Sequence, residues 1–144
     1  MSKNFFVEGP VIPAIIEKDI SKHATKLGIG AHVIFLGQVR ADIINDKKVR
    51  GIEYSAPVEL ANKKFEEIKE EAITRFQLSC LHIYHSLGFV EAGQLSLYVL
   101  SSSPHRKAAL DSLEWIVEKI KKEVPIFGKE IFDDGNYVWK KNTE

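Results

Sequence analysis

The chain lacks most of the marks by which simple function classes announce themselves. It has one cysteine, Cys80, which rules out an intrachain disulfide and a cysteine metal cluster. That residue lies in the apolar run 78–83 (Leu-Ser-Cys-Leu-His-Ile), where a strand thiol is usually buried and inert, and the usage suits a reducing compartment. Neither sign of charge is in excess: Lys plus Arg and Asp plus Glu number 20 each, so no global field gathers nucleic acid or an anionic membrane. Any anion site must arise from local clustering. No apolar run approaches the roughly 18 residues that span a bilayer, and no basic segment leads into an apolar signal core, so a cytoplasmic location is expected. Internal repeats, low-complexity linkers, Gly-x-Ser-x-Gly, a Gly-x-x-x-x-Gly-Lys loop and a His-Glu-x-x-His helix are all missing, which removes the common hydrolase, nucleotide-loop and zinc-peptidase readings.

What is present is one domain's worth of periodic segments: 144 residues, 44% hydrophobic, room for a real core. Asn4 to Glu8 predicts a short strand, and Pro13 to Lys26 a helix with Ile15, Ile16, Ile20 and Ala24 on one stripe. Ala31 to Val39 is rich in β-branched and aromatic residues and predicts a largely buried strand with Arg40 at its exit. Residues 41 to 50 are polar and predict a mobile surface loop able to act as a lid, before a strand at Gly51 to Ser55. From Pro57 to Phe76, Ala61, Phe65, Ile68, Ala72, Ile73 and Phe76 recur at helical steps between glutamates and lysines, an amphipathic helix. Strands near 79–86 and 94–101, a helix over 104–123 and a hairpin turning at 133–136 complete an α+β domain of three helices on a mostly antiparallel sheet.

Three places carry candidate chemistry. Ser101-Ser102-Ser103-Pro104-His105-Arg106-Lys107 leads from a strand into a helix whose free N–H groups and positive dipole end, beside His105 and Arg106, suit a phosphate. Lys119, Lys121 and Lys122 end the same helix; they compensate its negative end, but mutual repulsion and partial burial also lower a lysine's pKa, making an amine able to act as base or nucleophile. Arg40 can fork onto a phosphate from its strand end. At 1.5 Å per residue, Arg106 and Lys121 stand about 22 Å apart, so both ends of the helix serve one small molecule only if a symmetric dimer sets one helix start beside its mate's helix end. The histidines at 23, 32, 82, 85 and 105 are too scattered in sequence to suggest a metal site.

Phe35-Leu36-Gly37-Gln38-Val39-Arg40, Ser102-Ser103-Pro104-His105-Arg106-Lys107, and Lys121-x-x-x-Pro125-Ile126-Phe127 followed by Lys129-Glu130 occur in order, with Asp134-Gly135 and Trp139 near the end. In this the chain closely resembles the large, catalytic subunit family of molybdopterin synthase. The resemblance implies a hammerhead-like subdomain within the α+β fold. It also implies a homodimer carrying a small ubiquitin-like sulfur carrier with a C-terminal Gly-Gly thiocarboxylate at each end. Two sulfurs would pass to cyclic pyranopterin monophosphate, opening its cyclic phosphate and giving the molybdopterin dithiolene, with no permanently bound cofactor and no metal. The residues so implied are Lys121 and Lys129 for catalysis, and Phe35, Gln38, Val39, Arg40, His105, Arg106, Lys121, Gly128, Lys129 and Glu130 for substrate, the His-Arg pair coming across the dimer. The family's second lysine falls three residues after the proline, where this chain has Gly128. A regular strand would turn Lys129 to the opposite face with Phe127 and Ile131, whereas a bulge at the glycine would turn it back. No arginine follows Arg106, and Lys140 or Lys141 offers a point charge where relatives carry one. A noncatalytic carrier-docking homologue is the alternative these departures leave.

Overall fold

The computed structural model describes residues 3–140; Lys141 lies outside them. Alternating and helical apolar periods sort the chain into three α-helices and eight strands among these residues. The strands are β1 (Phe6–Glu8), β2 (Ala31–Gln38), β3 (Ile43–Ile44), β4 (Lys47–Ser55), β5 (Cys80–Glu91), β6 (Leu95–Ser103), β7 (Phe127–Phe132) and β8 (Tyr137–Trp139). The helices are α1 (Pro13–Lys22), α2 (Val58–Phe76) and α3 (Arg106–Glu123). The sheet runs β2-β6-β5-β4-β7-β8; β3 pairs with β4, and β1 adds the one parallel partner, to β5.

The long strand β5 organises everything else. Residues 80–85 pair with β6 and residues 88–91 with β4, so one strand belongs to two half-sheets. Gly88, the first residue of the second set, sits at φ +82°, a backbone setting that side chains disfavour. Helices α2 and α3 cover one face of the first half-sheet, burying Phe65, Ile68, Ile116 and Ile120 against Leu81, Ile83, Leu97 and Val99. Each such side chain contributes about 1.5–3 kcal/mol by leaving water. On the other face α1 covers a smaller cluster around Val11, Tyr98 and Leu100, and the second half-sheet keeps its own, Val39, Ile52, Tyr54 and Val90. The C-terminal end of α3 therefore arrives where the two half-sheets meet.

Four expectations are corrected. β2 is an edge strand, half-exposed along its length with Leu36 41% accessible, rather than largely buried; β-branched composition marks a strand but not its place in the sheet. The supposed mobile loop at 41–50 is a β-hairpin. Asn45 and Asp46, at φ +51° and +64°, form the left-handed two-residue turn joining β3 to β4. Helix α3 begins at Arg106 with His105 as its N-cap, and Pro104 sits ahead of the cap rather than in the first turn. Likewise α1 ends at Lys22, and His23–Thr25 is a tighter 3-10 turn. No helix among the described residues is long and apolar enough to cross a membrane.

Candidate active site

The last turn of α3 and the strands beneath it enclose two adjoining cavities. One, of about 340 Å³, is lined by Tyr54, His85, Lys121, Pro125, Gly128 and Lys140 among others. The second, about 460 Å³, is lined by Phe35, Gln38, Val39, Arg40, Glu130, Lys121 and Lys140 with neighbouring residues. Lys121 and Lys140 belong to both, so the cavities form one cleft with two cations at the junction.

Local structure explains the assembly. The register of β2 against β6 slips between Gly37 and Gln38, a bulge that re-aims the strand end so that Gln38, Val39 and Arg40 reach the second cavity. Val124 ends α3 in extended conformation, and the Pro125 segment passes into β7 over Tyr54 and Ile52. Lys140 is fixed through its backbone N–H, which donates to the Gly128 carbonyl at 2.7 Å.

Electrostatics give these groups unequal roles. The Lys121 side chain is solvent-accessible, yet partial burial of its ammonium, and next the charge of Lys140, hold its pKa below the usual lysine value. His85, 3% exposed, donates Nδ1–H to the Ser86 carbonyl at 2.8 Å. Burial, with lesser repulsion from Lys121 and Lys140, pushes its pKa down to about 4, so the ring is neutral beside the lysines. Tyr54 stacks edge-on against His85 at 5.0 Å and donates its hydroxyl to Ser96 Oγ at 3.2 Å; burial raises its pKa. Arg40 is exposed and paired with Asp42 at 3.3 Å, a bridge that an incoming anion can replace at little cost.

Of the residues expected from the sequence, Phe35, Gln38, Val39, Arg40, Lys121, Gly128 and Glu130 line the cleft. His105 and Arg106 do not: both are exposed at the far end of α3. The serines before them are taken up structurally. Ser101 bonds Ser112 at 2.7 Å, Ser102 bonds His32, and Ser103 donates to the His105 carbonyl. Lys129 stands elsewhere as well. β7 pairs with β4 without a bulge at Gly128, so Lys129 faces away and its ammonium lies 4.6 Å and 5.2 Å from the ring centroids of Tyr137 and Trp139. A Cβ at position 128 would point instead at Ile52 Cγ2, 3.0 Å away, on the cleft side. Tyr54 and His85 were missed by sequence reading; the signal was period-two alternation in β5 that sets His85 with Leu81 and Ile83 on the α3 face.

Comparison with known proteins finds relatives in both sequence and fold. Residues 13–123 match the family model described as MoaE protein. The molybdopterin synthase catalytic subunit of Pyrococcus abyssi is 38% identical over 108 residues, 75% of this chain and 72% of that protein. That of Emericella nidulans is 34% identical over 85% of this chain, which spans only 63% of the relative's length. Among solved structures, molybdopterin synthase from Staphylococcus aureus superposes with a TM-score of 0.84 at 29% identity, covering 99% of both chains. A complex of subunits 1 and 2 of molybdopterin-converting factor from Helicobacter pylori gives 0.80 at 25% identity, covering 95% of this chain and 89% of that one.

Proposed function

The chain belongs to the MoaE protein family, and from that premise we propose that it is a molybdopterin synthase catalytic subunit, transferring sulfur from a small carrier to cyclic pyranopterin monophosphate. The observation that carries the reading is the cleft at the end of α3, where Lys121, with a lowered pKa, and Lys140 stand between Arg40 on one side and a passage floored by Gly128 on the other.

Each part of the reaction has a residue suited to it. A carrier ending in Gly-Gly has no side chains to clash with the narrow cavity under Pro125 and beside Gly128, and the exposed Phe127, Tyr137 and Trp139 offer aromatic surface for the carrier's body. The sulfur of its thiocarboxylate attacks a side-chain carbon of the pterin, and as the new C–S bond forms the bond from that carbon to a cyclic-phosphate oxygen breaks, leaving the phosphate on the side chain as an opened monoester; at the second carbon an oxygen substituent leaves as water. Water then cleaves the acyl–sulfur bond, leaving the carrier as a carboxylate and sulfur on the product. Lys121 serves as the base and cation nearest that acyl group, since a lowered pKa raises its fraction of free amine near neutral pH. Arg40 and Lys140 balance the phosphate charge, Arg40 by exchanging Asp42 for the substrate. His105 and Arg106 act on the site of a second copy in a homodimer, because they stand about 22 Å along α3 from Lys121. Lys129 holds Tyr137 and Trp139 in place at the margin of the cleft.

The test is single-turnover conversion of cyclic pyranopterin monophosphate by the purified chain with thiocarboxylated carrier. Dithiolene formation that disappears in Lys121→Ala, with carrier binding retained, supports the enzyme. Gly128 and the orientation of Lys129 favour a second reading, a docking homologue without turnover; carrier binding with no product in the wild type would establish it.

A further inference from the structure

The five histidines are far apart in sequence, yet three metal-ligating side chains meet in space on the α1 side of the sheet. Cys80 and His82 are alternate residues of β5 and so project from one face, opposite to Leu81, Ile83 and His85, which face the α2–α3 core and the cleft. The 3-10 turn that closes α1 brings His23 onto them. His23 Nε2 lies 2.9 Å from Cys80 Sγ and 3.2 Å from His82 Nε2, and the three ligand atoms all fall within 4.8 Å of one another. We propose that His23 Nε2, Cys80 Sγ and His82 Nε2 form a binding site for a borderline-soft divalent cation of the zinc class, separate from the sulfur-transfer cleft.

Geometry supports it first. Ligands at zinc bond lengths of 2.0–2.3 Å in a tetrahedron stand about 3.3–3.6 Å apart; the His23–His82 pair at 3.2 Å is already near that spacing, Cys80 Sγ at 2.9 Å must draw back from His23 Nε2 by roughly 0.6 Å, and all three atoms, within 4.8 Å of one another, lie in reach of a single ion. The tautomer is also set. His23 Nδ1 bonds the Asp19 carbonyl, which only accepts, so the proton sits on Nδ1 and the lone pair of Nε2 is aimed at the sulfur and at His82. That carbonyl–imidazole arrangement is the one that orients metal-bound histidines generally. Asp19 is itself anchored, by the Tyr98 hydroxyl at 3.1 Å. One thiolate and two imidazoles select zinc, cobalt or nickel over the oxygen-seeking calcium and magnesium. His23 is buried while Cys80 and His82 are half-buried, leaving a way in and a fourth position for water. Binding converts the thiol to a thiolate and releases its proton to solvent.

A tag-free, full-length chain, reduced and then stripped with chelator, is titrated with Co²⁺ and afterwards with Zn²⁺. One equivalent of cobalt per chain, with thiolate-to-cobalt charge-transfer absorption and the strong visible bands of a four-coordinate ion, is expected, and zinc displaces it. Cys80→Ser removes the charge-transfer band, and His23→Ala or His82→Ala weakens binding about tenfold or more. Because Cys80 is the only cysteine, alkylation of the unaltered chain gives a readout that depends on no variant folding. Zinc should slow it and magnesium should not. The proposal is overturned by the absence of the charge-transfer band together with zinc-independent alkylation, by undiminished cobalt affinity in Cys80→Ser or His82→Ala, or by one cation per two chains.

Discussion

Lys140 and Lys121 stand at the junction of the two cavities, and the charge of Lys140 is, after burial, the cause that lowers the pKa of Lys121. Removing that charge lets Lys121 hold its proton to higher pH. In Lys140→Gln the rising limb of the single-turnover rate against pH, which tracks the free amine, moves to higher pH, and the KM for the cyclic phosphate rises because one neutralising cation is gone. A profile that stays in place while KM rises would restrict Lys140 to anion binding.

Lys121 and Lys129 differ in position, so their deletions should differ in kind. Lys121→Ala is expected to slow sulfur transfer by about 10²–10⁴-fold, the usual range for a lost acid–base group, with carrier affinity almost unchanged. Lys129→Ala removes only the cation over Tyr137 and Trp139. Its transfer step should slow less than about tenfold, and carrier binding should weaken as the aromatic wall loosens. Equal losses in the two variants would place Lys129 at the chemistry after all.

Gly128 occupies the position from which a side chain enters the cleft. Gly128→Lys meets Ile52 Cγ2 at 3.0 Å from its Cβ, a crowding that costs about 1 kcal/mol in a denaturant titration. In exchange it adds a cation beside Lys121 and moves the rate profile to lower pH, opposite to Lys140→Gln. Tighter binding of the cyclic phosphate should accompany the shift.

His85 makes stability depend on pH. Its folded pKa is lowered to about 4 from the ordinary 6.5, chiefly by burial, so the unfolded chain takes up the proton first. The stability it contributes is full above pH 6.5 and drains as pH falls through the interval down to about 4, by about 3 kcal/mol at most. His82, lowered in the same direction by burial, adds to the slope, so the difference between wild type and His85→Gln isolates the residue. Urea titrations at about pH 7.5 and about pH 4.5, in chelator, should show a shallower loss in the variant.

Sequence reading recovered the three helices and most strands because their apolar periods are long and regular, as in α2 with Ala61, Phe65, Ile68 and Ala72 on one buried stripe. It failed where a two-residue event decides the outcome. Asn45-Asp46 reads as loop chemistry, yet two consecutive left-handed residues make the tightest hairpin turn. The site was legible as motifs, while its assembly was not. Nothing local says that a bulge after Gly37 brings Arg40 toward Lys121, or that an unbroken register from Phe127 to Ile131 turns Lys129 away. Cys80-x-His82 carried a readable hint, since alternate strand residues share a face, but its third member came from a turn 57 residues earlier.

The placement of His105 and Arg106 at the opposite end of α3 from Lys121 has a consequence that mixing experiments can read. If each active site combines Lys121 of one subunit with the His-Arg pair of its mate, then Lys121→Ala and Arg106→Ala dimers are each defective. In a mixed dimer the two lesions fall on the same site and leave the other intact. Co-refolding the two variants in equal amounts makes half the dimers mixed, each with one working site, so roughly a quarter of wild-type single-turnover amplitude should return. If the pair served the cleft of its own subunit, every site in the mixture would carry one lesion and no amplitude would return. If Arg106 has no part in the reaction, Arg106→Ala alone would keep full amplitude before any mixing.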